Sequence, residues 1–167
     1  MKHILPILTI TTLAAAASAQ TAVAPAGLSY NRVTVSREGQ NNVLGAEALL
    51  GSSNVLATIQ TTTGGTNYSL GYVFKNVAAG IDATLSVGAG SAAEYSSYSV
   101  TLRRALSEVI QGLEARVVVS QNDGDVSRAS TEATYELQYN ITKQYALAFS
   151  LTDGPENVHT VSFRYNF

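Results

Sequence analysis

Cysteine and tryptophan are absent from this 167-residue sequence, and only 13% of its residues are charged. Without cysteine, no disulfide framework supports the chain and no lipid can be attached to a thiol, so stability must come from strand pairing and burial. The charged fraction is about half of that in an ordinary soluble domain. Much of the surface is therefore predicted to face something other than water. The net charge of -2 and the lack of a basic run give no electrostatic basis for binding nucleic acid.

A long hydrophobic run is also missing, since the apolar stretch at residues 4–13 is short for the roughly 20 residues of a membrane-spanning helix. Lys2 precedes this stretch, Pro6 interrupts it, and the small residues Ala17 and Ala19 follow it. This order is typical of a secretory signal peptide. We predict a signal peptide at 1–19 that is cleaved after Ala19, a short leader at 20–26, and a single β-domain at 27–167.

Polar and apolar residues alternate with a period of two along the rest of the sequence, and clusters of Gly, Asn, Ser and Asp separate the alternating runs. Sustained helical periodicity is absent. The pattern predicts an all-β fold, a closed antiparallel up-and-down transmembrane β-barrel of ten strands, with eight as the alternative count. The predicted strands are residues 28–37, 43–50, 54–62, 68–76, 81–88, 95–106, 109–121, 131–141, 144–152 and 157–167.

The connections between these strands fall into two alternating sets. The set that is shorter on average consists of residues 51–53, 76–80, 107–108 and 142–143. In an outer-membrane barrel, short turns face the periplasm and longer loops face the exterior. We therefore expect the shorter set at the periplasmic end.

Each predicted strand has one apolar and one polar face. In residues 67–76 the apolar face consists of Tyr68, Leu70, Tyr72 and Phe74. Alternation alone does not say which face points inward, because a soluble lipocalin-like barrel encloses its apolar face whereas a membrane barrel turns it to lipid. The polar face favours the membrane barrel, since it is rich in Ser, Thr and Gly and carries charges of both signs.

Aromatic residues on the apolar face also favour a membrane barrel. Bands of aromatic side chains mark the membrane–water interfaces of such proteins. Those near the short-turn end are predicted to form an interfacial girdle of Tyr72, Phe74, Tyr139, Tyr145, Tyr165 and Phe167.

Charged residues of the polar face are predicted to form a network in the lumen. They are Glu47, Lys75, Asp82, Arg103, Glu114, Arg116, Glu132, Glu136 and Arg164. Two interpretations stay open: these charges pair to plug and stiffen the barrel, or they line a narrow polar passage. The direction of Arg32 is also open, because the first strand supports two phases, with either Val33 and Val35 or Leu28 and Tyr30 pointing outward.

Three features together resemble the small outer-membrane β-barrel proteins of Gram-negative bacteria, in the porin-like and OmpA-like group. They are the signal peptide, the "GLSYN" that leads into the first strand, and the alternating strands that end in "FRYNF". The resemblance implies location in the bacterial outer membrane, contact with its lipid, and a monomer. It also implies that Phe163, Tyr165 and Phe167 form an assembly signal read by the barrel-assembly machinery during insertion.

The sequence offers little for catalysis, and no enzyme activity, cofactor or metal site is predicted. Outer-membrane barrel proteases use acidic residues and a histidine at the outer rim, but Asp123, Asp125, Asp153 and His159 do not reproduce their spacing. His159 is expected on the apolar face. The predicted function is that of an integral outer-membrane barrel, either a small structural or surface protein or a narrow pore with a charge-paired lumen. The alternative is a secreted lipocalin-like barrel that binds an apolar ligand.

Overall fold

The computed structural model describes residues 28–91, 96–123, 130–155 and 157–167. The predicted signal peptide and its cleavage after Ala19, the leader at 20–26, and Asp125 lie outside the described residues. Ten strands follow one another: β1 Arg32–Glu38, β2 Asn41–Leu49, β3 Val55–Thr62, β4 Gly65–Ala78, β5 Ile81–Gly90, β6 Ser96–Ala105, β7 Leu113–Asp123, β8 Ser130–Asn140, β9 Tyr145–Asp153 and β10 Val158–Asn166. None of the described residues belongs to a helix long and apolar enough to cross a membrane.

The ten strands close into one antiparallel barrel in which each strand pairs with its neighbours in the chain and β1 pairs with β10. The closing pair runs in register from Arg32 opposite Asn166 to Glu38 opposite Thr160. Phe167 continues this seam by donating its backbone N–H to the Asn31 carbonyl at 3.1 Å. The predicted closed up-and-down barrel of ten strands is confirmed, and the alternative count of eight is wrong.

The apolar face of the strands points outward. Leu70 and Leu137 are 53% and 55% exposed, whereas Val73, on the opposite face of β4 from Leu70, is 0% exposed. Polar and charged side chains such as Arg32 and Gln138 are buried inside instead. A lipocalin-like barrel requires the opposite arrangement, so the geometry contradicts that alternative. Small apolar clusters add to the packing, one of them formed by Ala46 and Ile59 with Val33 and Leu44.

The first strand begins later than predicted, at Arg32 rather than at residue 28. The Asn31 side-chain oxygen accepts the backbone N–H of Leu49 at 3.0 Å and takes the place of a ladder bond. Val35 is exposed while Ser36 is buried, so Val33 and Val35 have the outward phase and Arg32 points into the lumen. No bulge is needed, because Leu28 and Tyr30 share the inward phase of Arg32.

The seventh strand also begins later than predicted, at Leu113 rather than at Val109. Residues 106–112 form a turn in which the N–H groups of Val109 and Ile110 donate to the Leu106 carbonyl at 2.9 and 3.0 Å. Gly112 has a φ of +85°, which favours glycine. The apolar pair at 109 and 110 continues the strand pattern in the sequence, but the glycine after it turns the backbone out of the strand.

The two sets of connections do not differ in length as predicted. At the end where the described chain begins and finishes, the connections are residues 50–54, 79–80, 106–112 and 141–144. At the other end they are residues 39–40, 63–64, 91–95, 124–129 and 154–157. The set expected to be shorter, at the first end, is therefore not shorter than the other set. At the other end, two of the connections, 39–40 and 63–64, have only two residues between paired strands. We call the first end the inner mouth and the second the outer mouth.

Glycine allows side chains of neighbouring strands to approach the backbone closely between β4 and β6. A Cβ atom on Gly71 would lie 2.3 Å from the Ser86 hydroxyl oxygen, and one on Gly88 would lie 2.5 Å from that of Ser97. Glycine inside a strand commonly marks such a close approach. Around these two glycines the lumen wall carries small groups, whereas Asp82 on β5 and Arg103 on β6 project into the lumen nearer the inner mouth.

Candidate functional site

The lumen has two halves of different chemistry. Toward the outer mouth, hydroxyl groups line a cavity of about 270 Å³ that ends on arginine and glutamate side chains. Its hydroxyl lining consists of Thr34, Ser36, Thr58, Thr134, Ser150, Thr152, Thr160 and Ser162. We call this cavity the vestibule. The inner half is filled by buried charged, amide and apolar side chains.

Arg32 occupies the middle of the lumen and is only 2% exposed. Its Nε lies 2.7 Å from Glu47 Oε1, its neighbour across the β1–β2 ladder. Its Nη1 donates to Gln138 Oε1 at 2.9 Å on the far side of the barrel. Because β8 lies three strands away from β1 around the barrel, the bond to Gln138 crosses the lumen rather than following the wall.

A second group of charges surrounds Glu136. Arg164 donates to both oxygens of this carboxylate, at 2.7 Å from Nη1 and 2.5 Å from Nη2. Arg116, the neighbour of Glu136 across the β7–β8 ladder, lies 3.9 Å from it and is the most exposed of these charges, with 27% of its side chain accessible. Arg164 Nη1 also donates to Gln138. The Gln138 oxygen therefore accepts from arginines of two groups and joins them.

A third group lies nearer the inner mouth, around Arg103. This guanidinium lies 3.2 Å from Glu114 and 3.4 Å from Glu47, so Glu47 serves both Arg32 and Arg103. Asn140 donates to Glu114 at 3.0 Å and accepts from the Gln138 amide at 2.8 Å. The three groups are thus one hydrogen-bonded cluster, which we call the arginine–glutamate cluster.

The arginine–glutamate cluster carries one more positive than negative charge. Its members are the arginines Arg32, Arg103, Arg116 and Arg164 and the glutamates Glu47, Glu114 and Glu136. Buried charges are tolerated when partners of opposite sign and hydrogen bonds compensate their desolvation. Within the described part of the chain, Nη2 of Arg32 and Nε of Arg116 and Arg164 are buried without a hydrogen-bond partner. Donors therefore outnumber acceptors in the cluster.

Tyr30 closes the space between this cluster and the inner mouth. Its ring packs with Leu56 and Val73, and its hydroxyl donates to Asp82 Oδ2 at 2.6 Å. The Arg103 guanidinium lies over the ring, 4.5 Å from its centroid. Burial, together with the hydrogen bond to Asp82, raises the pKa of the Tyr30 phenol above its ordinary value, so the hydroxyl stays protonated.

The structure brings six of the nine residues predicted for the lumen network into the arginine–glutamate cluster. Asp82 lies at its inner edge and also accepts the Asn76 N–H at 2.7 Å, where β4 has an irregular register. Lys75, near that irregularity, is exposed and lies outside the cluster. Glu132 is half-buried near the outer mouth, and among the described residues neither it nor Lys75 forms an ion pair.

Four members of the site were not among the predicted residues: Arg32, Gln138, Asn140 and Tyr30. The signal for Arg32 was present, since it has the same parity as Thr34 and Ser36, both polar. Gln138 was not predicted because only charged residues of the polar face were considered. Its position between Leu137 and Tyr139, both on the apolar face, does place it on the polar face. Tyr30 has the same parity as Arg32, but an aromatic side chain at that position gives no polar signal for an inward direction.

The predicted girdle residues lie on the outward face near the inner mouth. Tyr72 and Phe74 contact each other edge to face at 5.0 Å between ring centroids, and both are exposed. Tyr145 contacts Phe163 and Tyr165 at 5.8 and 5.5 Å. Tyr139 is also exposed, and Tyr165 lies 6.5 Å from Phe167. These rings form a band along part of the inner rim, on β4 and from β8 to Phe167, and the band includes all three residues of the predicted assembly signal.

His159 is exposed on the outward face and stacks on Phe149, with 6.0 Å between ring centroids. Its direction is the one expected from the sequence. Asp123 and Asp153 are exposed at the ends of β7 and β9. His159 thus has an aromatic neighbour on the apolar face of the wall.

Two solved structures resemble this barrel. A KdgM porin superposes with a TM-score of 0.53 at 12% sequence identity, covering 81% of this chain and 99% of the porin chain. A KdgM porin in complex with disordered oligogalacturonate gives a TM-score of 0.51 at 11% identity, covering 82% and 98%. No family model and no curated protein matches the chain. At this identity the likeness shows a shared fold, a porin-like closed barrel.

Proposed function

We propose that this chain is an integral outer-membrane β-barrel whose lumen is closed at rest, so that it passes small ions at most. The observation that carries the proposal is the arginine–glutamate cluster, which crosses the barrel from β1 and β2 to β8 and is almost entirely buried. The cluster leaves a vestibule at the outer mouth and no wide path beyond it. A small structural or surface role fits this closed lumen better than general diffusion of solutes.

Location in the outer membrane is supported by the outward face and by the porin-like fold. Side chains such as Leu70, Val100, Leu137 and Phe163 leave a continuous apolar surface that lipid covers and water does not. A barrel satisfies the backbone groups of all its strands internally, which a membrane-spanning structure must do. The aromatic band at the inner rim corresponds to one membrane–water interface.

Assembly into the membrane is proposed to use the aromatic residues at the end of the described chain. Phe163 and Tyr165 alternate on the outward face of β10, and Phe167 follows at the seam with β1. A partner that inserts the barrel meets this strand as the last one to close. We infer that the barrel-assembly machinery contacts these rings and that the inserted protein is a monomer in contact with lipid.

The closed lumen follows from strand number as well as from charge. Barrels of about eight strands are just filled by side chains, whereas open aqueous channels are typical of roughly 16 to 18 strands. Ten strands therefore leave little free width, and four arginines with three glutamates occupy it. Because each charge has a partner, opening a path requires breaking ion pairs in a poorly hydrated space.

The test is a planar-bilayer conductance measurement on refolded protein. The wild type is expected to give small, brief or no current steps, and the Arg103→Ser/Arg116→Ser double variant is expected to give larger ones. Arg104→Ser is the matched control, because Arg104 pairs with Glu108 at 2.6 Å outside the cluster and its side chain is 42% exposed. Large, stable wild-type channels, or a double variant with unchanged current, would contradict the closed-lumen proposal.

A further inference from the structure

The segment of residues 28–31, just before β1, lies inside the inner mouth rather than in the barrel wall. Ser29 and Tyr30 are 7% and 6% exposed. Leu28 and Leu49 both pack against the apolar cluster that contains Tyr30. The segment thus occupies the inner mouth, on the opposite side of the arginine–glutamate cluster from the vestibule.

Apolar contacts fill the space around the Tyr30 ring. Leu56 and Val73, which contact it, are 8% and 0% exposed. Neither of them lines the vestibule, nor does Arg103 or Glu114. The vestibule therefore ends before this level.

Polar contacts hold the segment at three points. Arg103 Nη2 donates to the Ser29 carbonyl at 2.8 Å, and its guanidinium covers the Tyr30 ring. The Tyr30 hydroxyl donates to Asp82 at 2.6 Å. Because Arg103 and Asp82 face each other across the β5–β6 ladder, the phenol and its ring are held between two neighbouring strands.

The backbone of this segment is separate from the barrel ladder. The pairing of β1 with β2 and with β10 begins at Arg32. Asn31 is fixed by its contacts with Leu49 and Phe167, but residues 28–30 contribute no ladder pair among the described strands. This part of the chain can therefore leave the lumen while all ten strands remain paired.

We propose that residues 28–30 form a stopper at the inner mouth, with Tyr30 as its plug and Arg103 and Asp82 as its latch. The stopper is a second closure in series with the charge cluster at Arg116 and Glu136. Passage of any solute requires the ring to withdraw from between Arg103 and Asp82. The stopper is an addition to the proposed function, because the arginine–glutamate cluster by itself is enough to close the lumen.

Two closures in series make a distinct prediction for bilayer conductance. Arg116→Ser alone and Tyr30→Ala alone should each raise the current little, because the other closure still limits it. Arg116→Ser/Tyr30→Ala should raise it several-fold above either single variant. Arg116→Ser/Tyr98→Ala is the matched control and should equal Arg116→Ser, since Tyr98 is 57% exposed on the outward face.

A milder variant keeps the test valid if the alanine at position 30 impairs folding. Tyr30→Phe keeps the ring and loses only the hydrogen bond to Asp82. Combined with Arg116→Ser, it should raise the frequency of opening several-fold without changing the amplitude of the largest current step. Heat-modifiable migration on a gel checks that each variant has folded.

The stopper is refuted if Arg116→Ser/Tyr30→Ala conducts no more than Arg116→Ser. It is refuted equally if the added Tyr30→Phe leaves the opening frequency unchanged in protein that folds. Either result leaves the proposed function standing when the Arg103→Ser/Arg116→Ser variant still conducts more than the wild type. Large wild-type channels would instead contradict the closed lumen itself, so the two failures are distinguishable.

Discussion

Single side chains in the inner half of the lumen depend on partners of opposite charge. Glu136 forms ion pairs with both Arg164 and Arg116, and Glu47 forms ion pairs with both Arg32 and Arg103. Removing one partner of a buried pair leaves the other charge uncompensated, which costs more than the pair contributes as a whole. The carboxylates that serve two arginines are therefore the most sensitive positions of the lumen.

Glu136→Gln keeps the size of the side chain and removes its charge. We expect a loss of roughly 3 to 5 kcal/mol in the free energy of unfolding, because Arg164 is left buried without its carboxylate. Urea unfolding of the refolded protein in lipid vesicles measures this loss. Glu132→Gln is the control on the same strand, with an expected change within about 0.5 kcal/mol. Equal stability of the two variants would show that the Glu136 ion pairs contribute little.

Each strand of this barrel has one face that points outward and one that points into the lumen, and β8 shows the contrast clearly. Tyr135, Leu137 and Tyr139 are about half exposed on the outward face, whereas Glu136 and Gln138 between them are buried. A shift of one residue in register would move every one of these side chains to the wrong face. The alternation therefore excludes a shift by any odd number of residues and fixes which face of each strand points outward.

Leu137→Arg places a charge on the outward face of β8. If that face meets lipid near the middle of the membrane, the substitution costs about 2 to 4 kcal/mol. Leu70→Arg on β4 should behave alike. Thr134→Arg is the matched control, because Thr134 lines the vestibule and its replacement pays no lipid cost. A protein that folds without detergent or lipid, and tolerates both outward arginines, would disprove the membrane orientation.

β10 pairs with β1 to close the barrel, and its aromatic residues are the ones proposed to act in assembly. Phe167→Ala should lower the amount of protein inserted in the outer membrane while export to the periplasm continues. Phe149→Ala on β9 is the control, since Phe149 is also exposed on the outward face. Fractionation of cells that express each variant measures both quantities. Equal insertion of the two variants would argue against the proposed assembly signal.

The whole barrel combines a net negative chain with a buried central cluster that is locally positive. The chain carries a formal net charge of -2, yet its arginine–glutamate cluster has one positive charge in excess. A charge in a narrow, poorly hydrated passage acts strongly on any ion that enters, because little water screens it. If the lumen passes ions, the charges of the interior, and not the net charge of the chain, are expected to set which ions it prefers.

Any residual current is expected to prefer anions to cations. The reversal potential across a bilayer with a salt gradient measures this preference. Arg116→Glu should shift the preference toward cations, because Arg116 is the cluster charge most open to the vestibule. Arg104→Glu makes the same charge change outside the lumen and should leave the reversal potential unaltered. A cation preference in the wild type would show that the excess positive charge does not control permeation.

The amino-acid sequence by itself indicated ten strands in an up-and-down order, with eight as the alternative count, and assigned each strand two faces. Alternation with a period of two is a local property, and turn residues between the runs set the limits of most strands to within a few positions. Parity along each strand also placed Glu47, Arg103, Glu114, Arg116, Glu136 and Arg164 on the polar face. These features needed no information from distant parts of the sequence, because successive side chains of a strand point to opposite faces.

Only the tertiary structure decided what lies across the lumen from each side chain. Arg32 meets Gln138, and Arg103 meets Tyr30, because closure of the barrel brings strands together that are far apart in the chain. The inward turn of Tyr30 depends on the space left beneath the cluster. Lys75 falls outside the cluster because β4 changes register near it, a feature without a local sequence signal. Contacts of this kind depend on barrel diameter and strand stagger, which alternation does not encode.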